Sequence, residues 1–430
     1  MEFYIFVIAI GLLLVTLHAS SHVVARLPLS PAILYFVCGV GLGLWGFDWM
    51  RVDPARHAVL IERLCELAVL VSLFATGSNL GTTLRGKSWE APIRLASIAM
   101  VITIAALAGL LYSWLDMSLG AAIVIAAALA PTDPVLAGEV QVSDPSDRDR
   151  LRSALTGEAG LNDGTAYPFV LLGLGLLSLH DLGPGMWRWW AIDLVWAVAG
   201  GVAIGAALGV AVGRWVLHRL RSDVEEASPD AFLGLGLVAI AYGIAVSVSA
   251  CGFLAVFAAA VAMQRTVMRP KADAGKARGA AASTPPVAER TAAVASLQQF
   301  NSDLESFCEF ALVIVVGVLC TVVPMRWEAL LVAALLFFVV RPVAVYVAVR
   351  KATFERSQRA LAAWFGIRGI GSIYYLYFAL NFPLPEYISK MLFDLTLIAV
   401  ATSVVLHGIS VTPLMQRYSR TREARSMTDV

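Results

Sequence analysis

The sequence is dominated by apolar runs of bilayer length that are separated by short polar segments. A transmembrane helix needs about twenty apolar residues, because it must cross roughly 30 Å of hydrocarbon. With 59% hydrophobic and 15% charged residues, the 430-residue chain has the composition of a membrane protein. We therefore predict an all-α polytopic membrane protein of about 13 spans, at 3–20, 30–46, 59–79, 92–115, 118–139, 151–178, 188–213, 230–249, 251–266, 304–323, 328–349, 358–380 and 388–415.

The distribution of Lys and Arg tests this span count. An odd number of spans places the two termini on opposite sides of the membrane, so the loops alternate between the sides. The loops and tail on the side of the C-terminus carry 24 Lys and Arg residues, against 6 on the other side. Because basic loops stay in the cytoplasm, we expect the C-terminus inside and the N-terminus outside. The first span lacks the basic segment of a signal peptide and is expected to be retained.

The polar segments are short, apart from one. Residues 267–302 are predicted to be a flexible cytoplasmic loop, and residues 418–430 a short cytoplasmic tail. We expect no attached soluble regulatory domain. The net charge of +1 gives no reason to expect a nucleic-acid partner, and the five cysteines show no metal-binding spacing.

Two of the predicted spans contain residues that interrupt a helix. The fifth contains Pro131-Thr132-Asp133-Pro134, in which two prolines remove backbone donors. The twelfth contains Gly366-Ile367-Arg368-Gly369-Ile370-Gly371, in which three glycines weaken the helix. Non-helical backbone at membrane depth is tolerated only where it is buried in protein or lines a cavity. Interrupted spans in corresponding positions of two halves indicate a secondary transporter with inverted repeats, here about 30–178 and 251–415.

The sixth span places a carboxylate near the middle of the membrane. Asp163 stands about twelve residues, or roughly 18 Å, from the cytoplasmic end of its span. An acid at this depth costs roughly 2.5 to 3.5 kcal/mol on insertion, and such residues are functional by default. A buried carboxylate binds either a proton or a small hard cation, so one site suffices to exchange the two. The alternative is a fixed hydrogen bond within the helix bundle.

Three neighbours complete the predicted ion site. Asp133 lies between prolines, where unwinding frees carbonyl oxygens, and Thr132 adds a hydroxyl. Hard cations are bound by several oxygens, which favours Thr132, Asp133 and Asp163 as ligands. The alternative for Asp133 is a local helix cap. Asn162 has both donor and acceptor groups and is suited to bonding the unwound backbone, or else makes a generic bond between helices.

Glu158 is expected to pair with a buried arginine. It shares a helix face with Asn162, whereas Asp163 is turned by about 140° from it, which indicates a separate role. An arginine at membrane depth needs a carboxylate partner. Arg341 and Arg368 both lie near the middle of their spans, and the residues alone leave the choice between them open.

Four further acids lie near the ends of predicted spans, where a carboxylate reaches water or caps a helix. We expect them at solvated funnel positions or at caps. They are Glu62, Glu66, Glu305 and Glu309.

Other functions use polar groups inside a membrane. An intramembrane aspartyl protease needs two aspartates, but the Tyr-Asp and Gly-x-Gly-Asp motifs of that class are absent around Asp133 and Asp163. A hydrolase that uses Ser372 and His407 lacks a nucleophile motif. A channel would use the same polar centre, but two interrupted spans with protonatable carboxylates favour alternating access. We therefore expect a transporter and not an enzyme.

Four motifs, in their order and spacing, resemble the NhaP-type bacterial sodium/proton antiporters of the monovalent cation:proton antiporter-1 family. The agreement extends over nearly the whole membrane region. The resemblance implies exchange of cytoplasmic Na⁺ or Li⁺ for external H⁺ in pH homeostasis, without a cofactor, and a K⁺/H⁺ antiporter is the alternative. The motifs are Leu129-Ala130-Pro131-Thr132-Asp133-Pro134-Val135-Leu136-Ala137, Leu155-Thr156-Gly157-Glu158-Ala159-Gly160-Leu161-Asn162-Asp163-Gly164, Arg341-Pro342 and Gly366-Ile367-Arg368-Gly369.

The resemblance also implies an architecture. It implies a homodimer in the lipid of a bacterial cytoplasmic (inner) membrane, with the transporter domain in residues 1–417. A moving core would be built from spans 92–178 and 328–415 and would hold crossed, unwound fifth and twelfth helices. A dimerisation part would be built from spans 1–79 and 230–323.

Residue roles follow from the resemblance as well. Asp163 would bind Na⁺ and H⁺, with Asp133 and Thr132 contributing at the site. Glu158 would pair with the arginine of the eleventh span, Arg341.

Four other positions complete the resemblance. Asn162 before Asp163, in place of an Asp-Asp pair, is similar to the electroneutral class, and Arg368 is a supporting residue in this comparison. Ala159 stands where many relatives have a serine, and Ala75 stands where relatives often have an acid. Both departures remove an oxygen ligand and bear on the cation preference.

Overall fold

The computed structural model describes residues 29–46, 52–80, 86–142, 147–220, 231–268, 287–350 and 354–428, together with Gly11, Val15 and Ala352. These residues form helices and connecting loops, and no strand occurs among them. The first predicted span, 3–20, lies outside the described residues except for Gly11 and Val15. The other twelve predicted spans correspond to helical segments.

The first half of the described chain contains six helical segments, which correspond to the second to seventh predicted spans. Two of them contain a π-helical stretch, Leu95–Ala99 and Trp189–Trp196. The segments are α1 (Pro31–Leu42), α2 (Ala58–Leu80), α3 (Gly86–Trp114), α4 (Leu119–Leu129), α5 (Arg150–Leu176) and α6 (Pro184–Arg219).

The second half contains the remaining described helices. The short link between the first two of them confirms the predicted division between the eighth and ninth spans. The last helix continues through most of the predicted tail. The segments are α7 (Ala231–Ser247), α8 (Gly252–Met268), α9 (Val287–Cys320), α10 (Trp327–Ala348), α11 (Arg356–Trp364), α12 (Ile370–Leu380) and α13 (Glu386–Thr428).

The predicted loop at 267–302 is wrong at both ends. Helix α8 continues to Met268, and α9 already begins at Val287. The sequence around 287–302 contains Ala, Glu, Gln and Leu, which favour helix, and it follows directly on Pro285-Pro286, a pair suited to a helix start. Polar composition alone therefore overestimated the loop. Residues 269–286 lie outside the described part of the chain.

Four of the described helices are long and apolar enough to cross a membrane by length and composition: Gly86–Trp114, Pro184–Arg219, Trp327–Ala348 and Glu386–Arg422. Several others are shorter, with 10 to 17 residues. Helix α5 has 27 residues but contains arginines, a glutamate and an aspartate, which lower its hydropathy. The polar residues of α5 thus lie on a helix that several other helices contact.

Small residues bring α6 and α8 into close contact. A Cβ on Gly205 or Gly209 of α6 would overlap the carbonyl oxygen of Ala255 or Ala259 in α8. Helices in a bilayer gain little from hydrophobic burial against one another, so close backbone approach and van der Waals packing stabilise the pair. Helix α2 in turn packs against α8, α9 and α12.

The two interrupted helices meet at their breaks. Helix α4 ends at Leu129, before a short 3₁₀ turn at Gly138–Val140. Five residues separate the end of α11 at Trp364 from the start of α12 at Ile370. The Asp133 N–H donates to the carbonyl oxygen of Ile367 at 2.9 Å, which joins the two unwound segments. The prediction of unwound fifth and twelfth spans is confirmed.

Candidate functional site

Asp163 lies in α5 at the centre of the bundle and has an exposed fraction of 0%. Neither carboxylate oxygen has a hydrogen-bond partner among the described residues. Gly371 of α12 lies directly against it, since a Cβ added there would be 2.9 Å from Oδ1. The Tyr375 hydroxyl donates to the main-chain oxygen of Asp163. The residue is therefore fixed through its main chain, while both side-chain oxygens stay without a donor in the described part of the chain.

Asp133, in the unwound segment after α4, is also buried but is hydrogen-bonded. Its Oδ1 accepts from the Val135 N–H at 2.7 Å, and its Oδ2 accepts from the Gly371 N–H at 3.3 Å. A carboxylate at the N-terminus of a helix is stabilised by the unpaired N–H groups and the helix dipole. Asp133 thus caps its own segment and α12 together, and Gly371 lies between the two aspartates.

Asn162 contributes a third unused oxygen. Its Nδ2 donates to the Thr132 hydroxyl at 2.6 Å, and its Oδ1 has no partner in the described part of the chain. The prediction that Asn162 bonds the unwound backbone is therefore wrong, because the bond goes to a side chain of that segment. Asn162 and Asp163 together present three buried acceptor oxygens without donors, the type of ligand that hard cations prefer.

Glu158 and Arg341 form a buried bidentate ion pair. Nη2 of Arg341 is 2.9 Å from Oε2 of Glu158, and Nη1 donates to Oε1. Nη2 also donates to the Ala362 carbonyl at 3.2 Å. Both side chains are almost fully buried. The sequence left open which of two arginines pairs with Glu158, and the structure shows that it is Arg341. The bidentate geometry makes such a pair strong.

Arg368 is held by carbonyl oxygens, and no ion pair of it occurs among the described residues. Its Nε donates to the oxygen of Leu129, its Nη1 donates to the oxygen of Gly366 at 2.9 Å, and its main-chain N–H donates to the Ser403 hydroxyl at 2.7 Å. Leu129 is the last residue of α4, whose C-terminal carbonyls carry partial negative charge. Arg368 therefore ties the end of α4 to the break between α11 and α12.

Sequence reasoning missed two supporting groups on α13. Ser403 accepts the Arg368 N–H, and the His407 ring lies 3.0 Å from the main-chain oxygens of both Ser403 and Trp364. The available signal was the spacing of two polar residues four apart within an apolar span. The hypothesis of a Ser372–His407 hydrolase is not supported, because the Ser372 hydroxyl has no hydrogen-bond partner among the described residues.

The arrangement is suited to binding a small cation or a proton. The buried oxygens of this site come from the intact helix α5 and from the unwound segment after α4. The first turn of α12 lies against them through Gly371. The structured part of the chain offers no cluster of three or more His, Cys, Asp or Glu residues that would hold a metal ion.

Comparison with a family profile and with individual proteins identifies cation/proton antiporters as relatives of this chain. The profile of the family described as "Sodium/hydrogen exchanger, transmembrane" matches residues 9–417. A relative named K⁺/H⁺ antiporter NhaP, from Alkalimonas amylolytica, is 22% identical over 95% of this chain and 66% of its own length. The low-affinity Na⁺/H⁺ antiporter NhaS1 of Synechocystis is 25% identical over 50% of this chain and 40% of its own length. The chain spans less than two thirds of the length of these relatives.

Solved structures show the same fold. Two structures of the sodium proton antiporter MjNhaP1 from Methanocaldococcus jannaschii match with TM-scores of 0.68 and 0.70, at 16% and 17% sequence identity. They cover 96% and 97% of this chain and 98% of the matched chains. The described helices therefore adopt the fold of a polytopic antiporter. Because the family profile extends over nearly the whole sequence, the chain belongs to the transmembrane sodium/hydrogen exchanger family.

Proposed function

We propose that this protein is a secondary active antiporter that exchanges cytoplasmic Na⁺ or Li⁺ for external H⁺ at Asp163. The supporting observation is a fully buried carboxylate with no hydrogen-bond partner for either oxygen among the described residues. Such a charge is costly at membrane depth, and either a proton or a cation neutralises it. The two ions therefore compete for one site, and the binding of one releases the other.

Competition at one site produces exchange when the site faces the two sides of the membrane in turn. The loaded, neutral carboxylate crosses more readily than the empty charged one, so cation flux in one direction drives proton flux in the other. In this proposal the core of spans 92–178 and 328–415 moves against the part formed by 1–79 and 230–323, which forms the homodimer. The reaction needs no cofactor.

The charge at the site supports electroneutral exchange. Asp133 is stabilised by the N–H groups of Val135 and Gly371, whereas no such donor to the Asp163 carboxylate occurs among the described residues. The residue before Asp163 is the neutral Asn162. One titrating carboxylate carries either one H⁺ or one Na⁺, so equal charges cross in the two directions. The asymmetry of Lys and Arg supports a C-terminus in the cytoplasm. The bacterial relatives named NhaP and NhaS1 support a bacterial inner membrane as the location.

A second candidate is K⁺/H⁺ exchange at the same site. The NhaP relative from Alkalimonas amylolytica is named a K⁺/H⁺ antiporter. Ala159 and Ala75 are buried and supply no oxygen where the family pattern often has one. Fewer protein oxygens compensate less of the free energy lost when a cation sheds its water, and this loss is smaller for K⁺ than for Na⁺.

The test is dequenching of a pH-sensitive dye in everted membrane vesicles on addition of Na⁺, Li⁺ or K⁺, with the membrane potential clamped and unclamped. We expect a response to Na⁺ or Li⁺ that Asp163→Asn abolishes and that clamping leaves unchanged. Asp116→Asn makes the same chemical change at an exposed position and should leave exchange intact. A response to K⁺ alone would establish the second candidate. A dependence on potential would contradict electroneutrality, and a fully active Asp163→Asn would contradict the site.

A further inference from the structure

Ser403 and His407 stand one helical turn apart on α13 and contact the break between α11 and α12. Their exposed fractions are 0% and 2%, so bulk water does not replace a hydrogen bond that either side chain loses. Neither residue belongs to the ion site described above. Their hydrogen bonds go to the main chain on the two sides of the break.

The two side chains hold both ends of this break. Ser403 Oγ accepts the main-chain N–H of Arg368 at 2.7 Å. His407 Nε2 lies 3.0 Å from the main-chain oxygen of Trp364, the last residue of α11. The two side chains also contact each other, with Nδ1 of His407 3.2 Å from Ser403 Oγ. We call Ser403 and His407, with these three bonds, the α13 clamp.

A neutral imidazole matches every donor of the clamp with an acceptor. A carbonyl oxygen only accepts, so Nε2 carries the hydrogen that bonds Trp364. Nδ1 then accepts from the Ser403 hydroxyl, whose oxygen still accepts the Arg368 N–H. A protonated ring would donate from Nδ1 to the main-chain oxygen of Ser403, 3.0 Å away, and would add a positive charge near the buried Arg368. The clamp is therefore complete with an uncharged His407.

Aromatic packing fixes the position of the imidazole ring. The ring centroid lies 5.3 Å from that of Phe337 on α10 and 5.8 Å from that of Trp364. Because the ring is enclosed in a close-packed interior, it cannot turn away from the Trp364 oxygen unless its neighbours move. The position of the break thus depends on α10 and α13 as well as on its own backbone.

The clamped segment leads directly to the two aspartates. Gly369 follows Arg368 and lies against the Asp133 carboxylate. Gly371, two residues further, donates its N–H to Asp133 Oδ2 at 3.3 Å, and a Cβ added to it would be 2.9 Å from Oδ1 of Asp163. A shift of Arg368 is therefore transmitted through three residues to both carboxylates.

We propose that Ser403 and His407 are positioning residues for the ion site, because they hold the break so that Gly371 stays against Asp163 and Asp133. The proposal rests on the proposed function, which places cation binding at Asp163. Neither side chain binds the transported ion. The two residues act through the main chain of Arg368 and set the distances between the break and the carboxylates.

Deuterium exchange followed by mass spectrometry tests the hold on the break, since the Arg368 amide is itself a donor of the clamp. In Ser403→Ala this amide has lost its acceptor, and deuterium uptake by the peptide containing 365–371 should become about tenfold faster in detergent. His407→Phe keeps an aromatic ring without the two nitrogens and should act in the same direction.

Ser410→Ala is the matched control on the same helix. Ser410 Oγ accepts from the indole Nε1 of Trp364 at 3.0 Å, so this variant removes a bond between α11 and α13 that goes to a side chain and not to the main chain of the break. We expect deuterium uptake by the peptide containing 365–371 to stay within about twofold of the parent.

Cation titration of proton release tests the effect on the ion site. A smaller amount of folded protein lowers the maximum rate but not KM, so KM separates positioning from stability. Ser403→Ala and His407→Phe should raise the KM for the transported cation about fivefold, and Ser410→Ala should leave it within about twofold. His407→Gln keeps a donor for the Trp364 oxygen and should recover part of the loss.

Each contrary result overturns a defined part of the proposal. Faster deuterium uptake with an unchanged KM would show that the break does not set the geometry of the ion site. Unchanged uptake in both variants would show that the clamp does not hold the break. Equal effects of Ser410→Ala would reduce the clamp to general packing of α13.

Two further measurements keep the outcomes distinct. If His407→Phe does not fold, Ser403→Ala is compared with Ser403→Thr, which keeps the hydroxyl and should recover the parental KM. Deuterium uptake does not require transport. A parent without cation exchange would therefore overturn the proposed function, while the uptake of the variants would still show whether the clamp holds the break.

Discussion

Two buried carboxylates on α5 show opposite uses of the same chemistry. Glu158 and Asp163 lie five residues apart, and both are enclosed by protein. Glu158 uses both oxygens in its pair with Arg341, whereas neither oxygen of Asp163 has a partner among the described residues. A buried charge without a partner is destabilising, so its presence indicates a binding role. The difference supports the proposal that Glu158 stabilises the fold and that Asp163 exchanges ions.

The backbone around each carboxylate follows the same division. Gly366 lies against the aliphatic part of Arg341, where a Cβ would meet Cγ at 2.9 Å. Gly371 lies against the Asp163 carboxylate at the same distance, and its N–H also bonds Asp133. One glycine near the break therefore adjoins the ion pair, and the other adjoins the proposed ion site. The structure thus offers matched substitutions at both places.

The largest expected effect separates the two carboxylates by activity. Asp163→Asn should reduce cation-dependent proton release to the level of vesicles without the protein, because an amide binds neither a proton nor Na⁺ in place of a carboxylate. Its thermal unfolding in detergent should be unchanged or raised, because a buried unpaired charge is removed. Exchange assays and unfolding curves of the same preparation test both points. Residual exchange with the parental cation dependence would remove Asp163 from the site.

The second effect separates them by stability. Glu158→Gln leaves Arg341 buried without a charged partner and should lower the free energy of unfolding by about 3–5 kcal/mol. In Glu158→Leu/Arg341→Met both charges are gone, and most of that loss should be recovered. Denaturant unfolding in detergent measures the three proteins side by side. If Glu158→Gln unfolds like the parent, the ion pair does not stabilise the fold and the contrast with Asp163 fails.

The third effect uses the two glycines. Gly371→Ala places a methyl group 2.9 Å from Oδ1 of Asp163, and we expect the KM for the cation to rise about tenfold, since close-packed neighbours cannot move without cost. Gly366→Ala meets a flexible arginine stem and should leave KM unchanged, with a loss of stability of roughly 1–3 kcal/mol. Equal effects of the two variants on KM would show that closeness to Asp163 is not the cause.

Local signals in the sequence predicted part of this arrangement. Prolines and glycines mark helix breaks wherever they occur, so the unwound fifth and twelfth spans were predictable. The helical start of α9 at Val287 was missed, because a polar composition is compatible with both a loop and the exposed part of a helix. The partner of Glu158 lies 183 residues away, and no local pattern chooses between two arginines at similar depth.

Distant partners also limit what the sequence predicts about Glu62 and Glu66. Glu62 and Glu66 were expected at solvated funnel positions or at caps. The structure places both in the lining of a cavity of about 410 Å³, but each is only 6% exposed. The Asn381 amide that bonds Glu62 is 319 residues away, and the Tyr242 hydroxyl that bonds Glu66 is 176 residues away. Burial of an acid near a span end depends on such distant partners, and hydropathy does not report them.

The smallest expected effect concerns the amide beside Asp163. Thr132→Val removes the acceptor for Asn162 Nδ2, which is 2.6 Å from Oγ1, and leaves this donor free to turn toward the carboxylate. The amide donor would then compete with the cation for the Asp163 carboxylate. Because one hydrogen bond contributes about 0.5–1.5 kcal/mol of free energy, we expect the KM for the cation to rise roughly two- to tenfold. Thr132→Ser keeps the hydroxyl and should change KM less than about twofold. Titration of cation-dependent proton release gives KM for both variants. If Thr132→Val and Thr132→Ser both have the KM of the parent, Thr132 does not set the orientation of Asn162. The contrast with Glu158 would then rest on the two carboxylate oxygens of Asp163 alone, without the Asn162 oxygen.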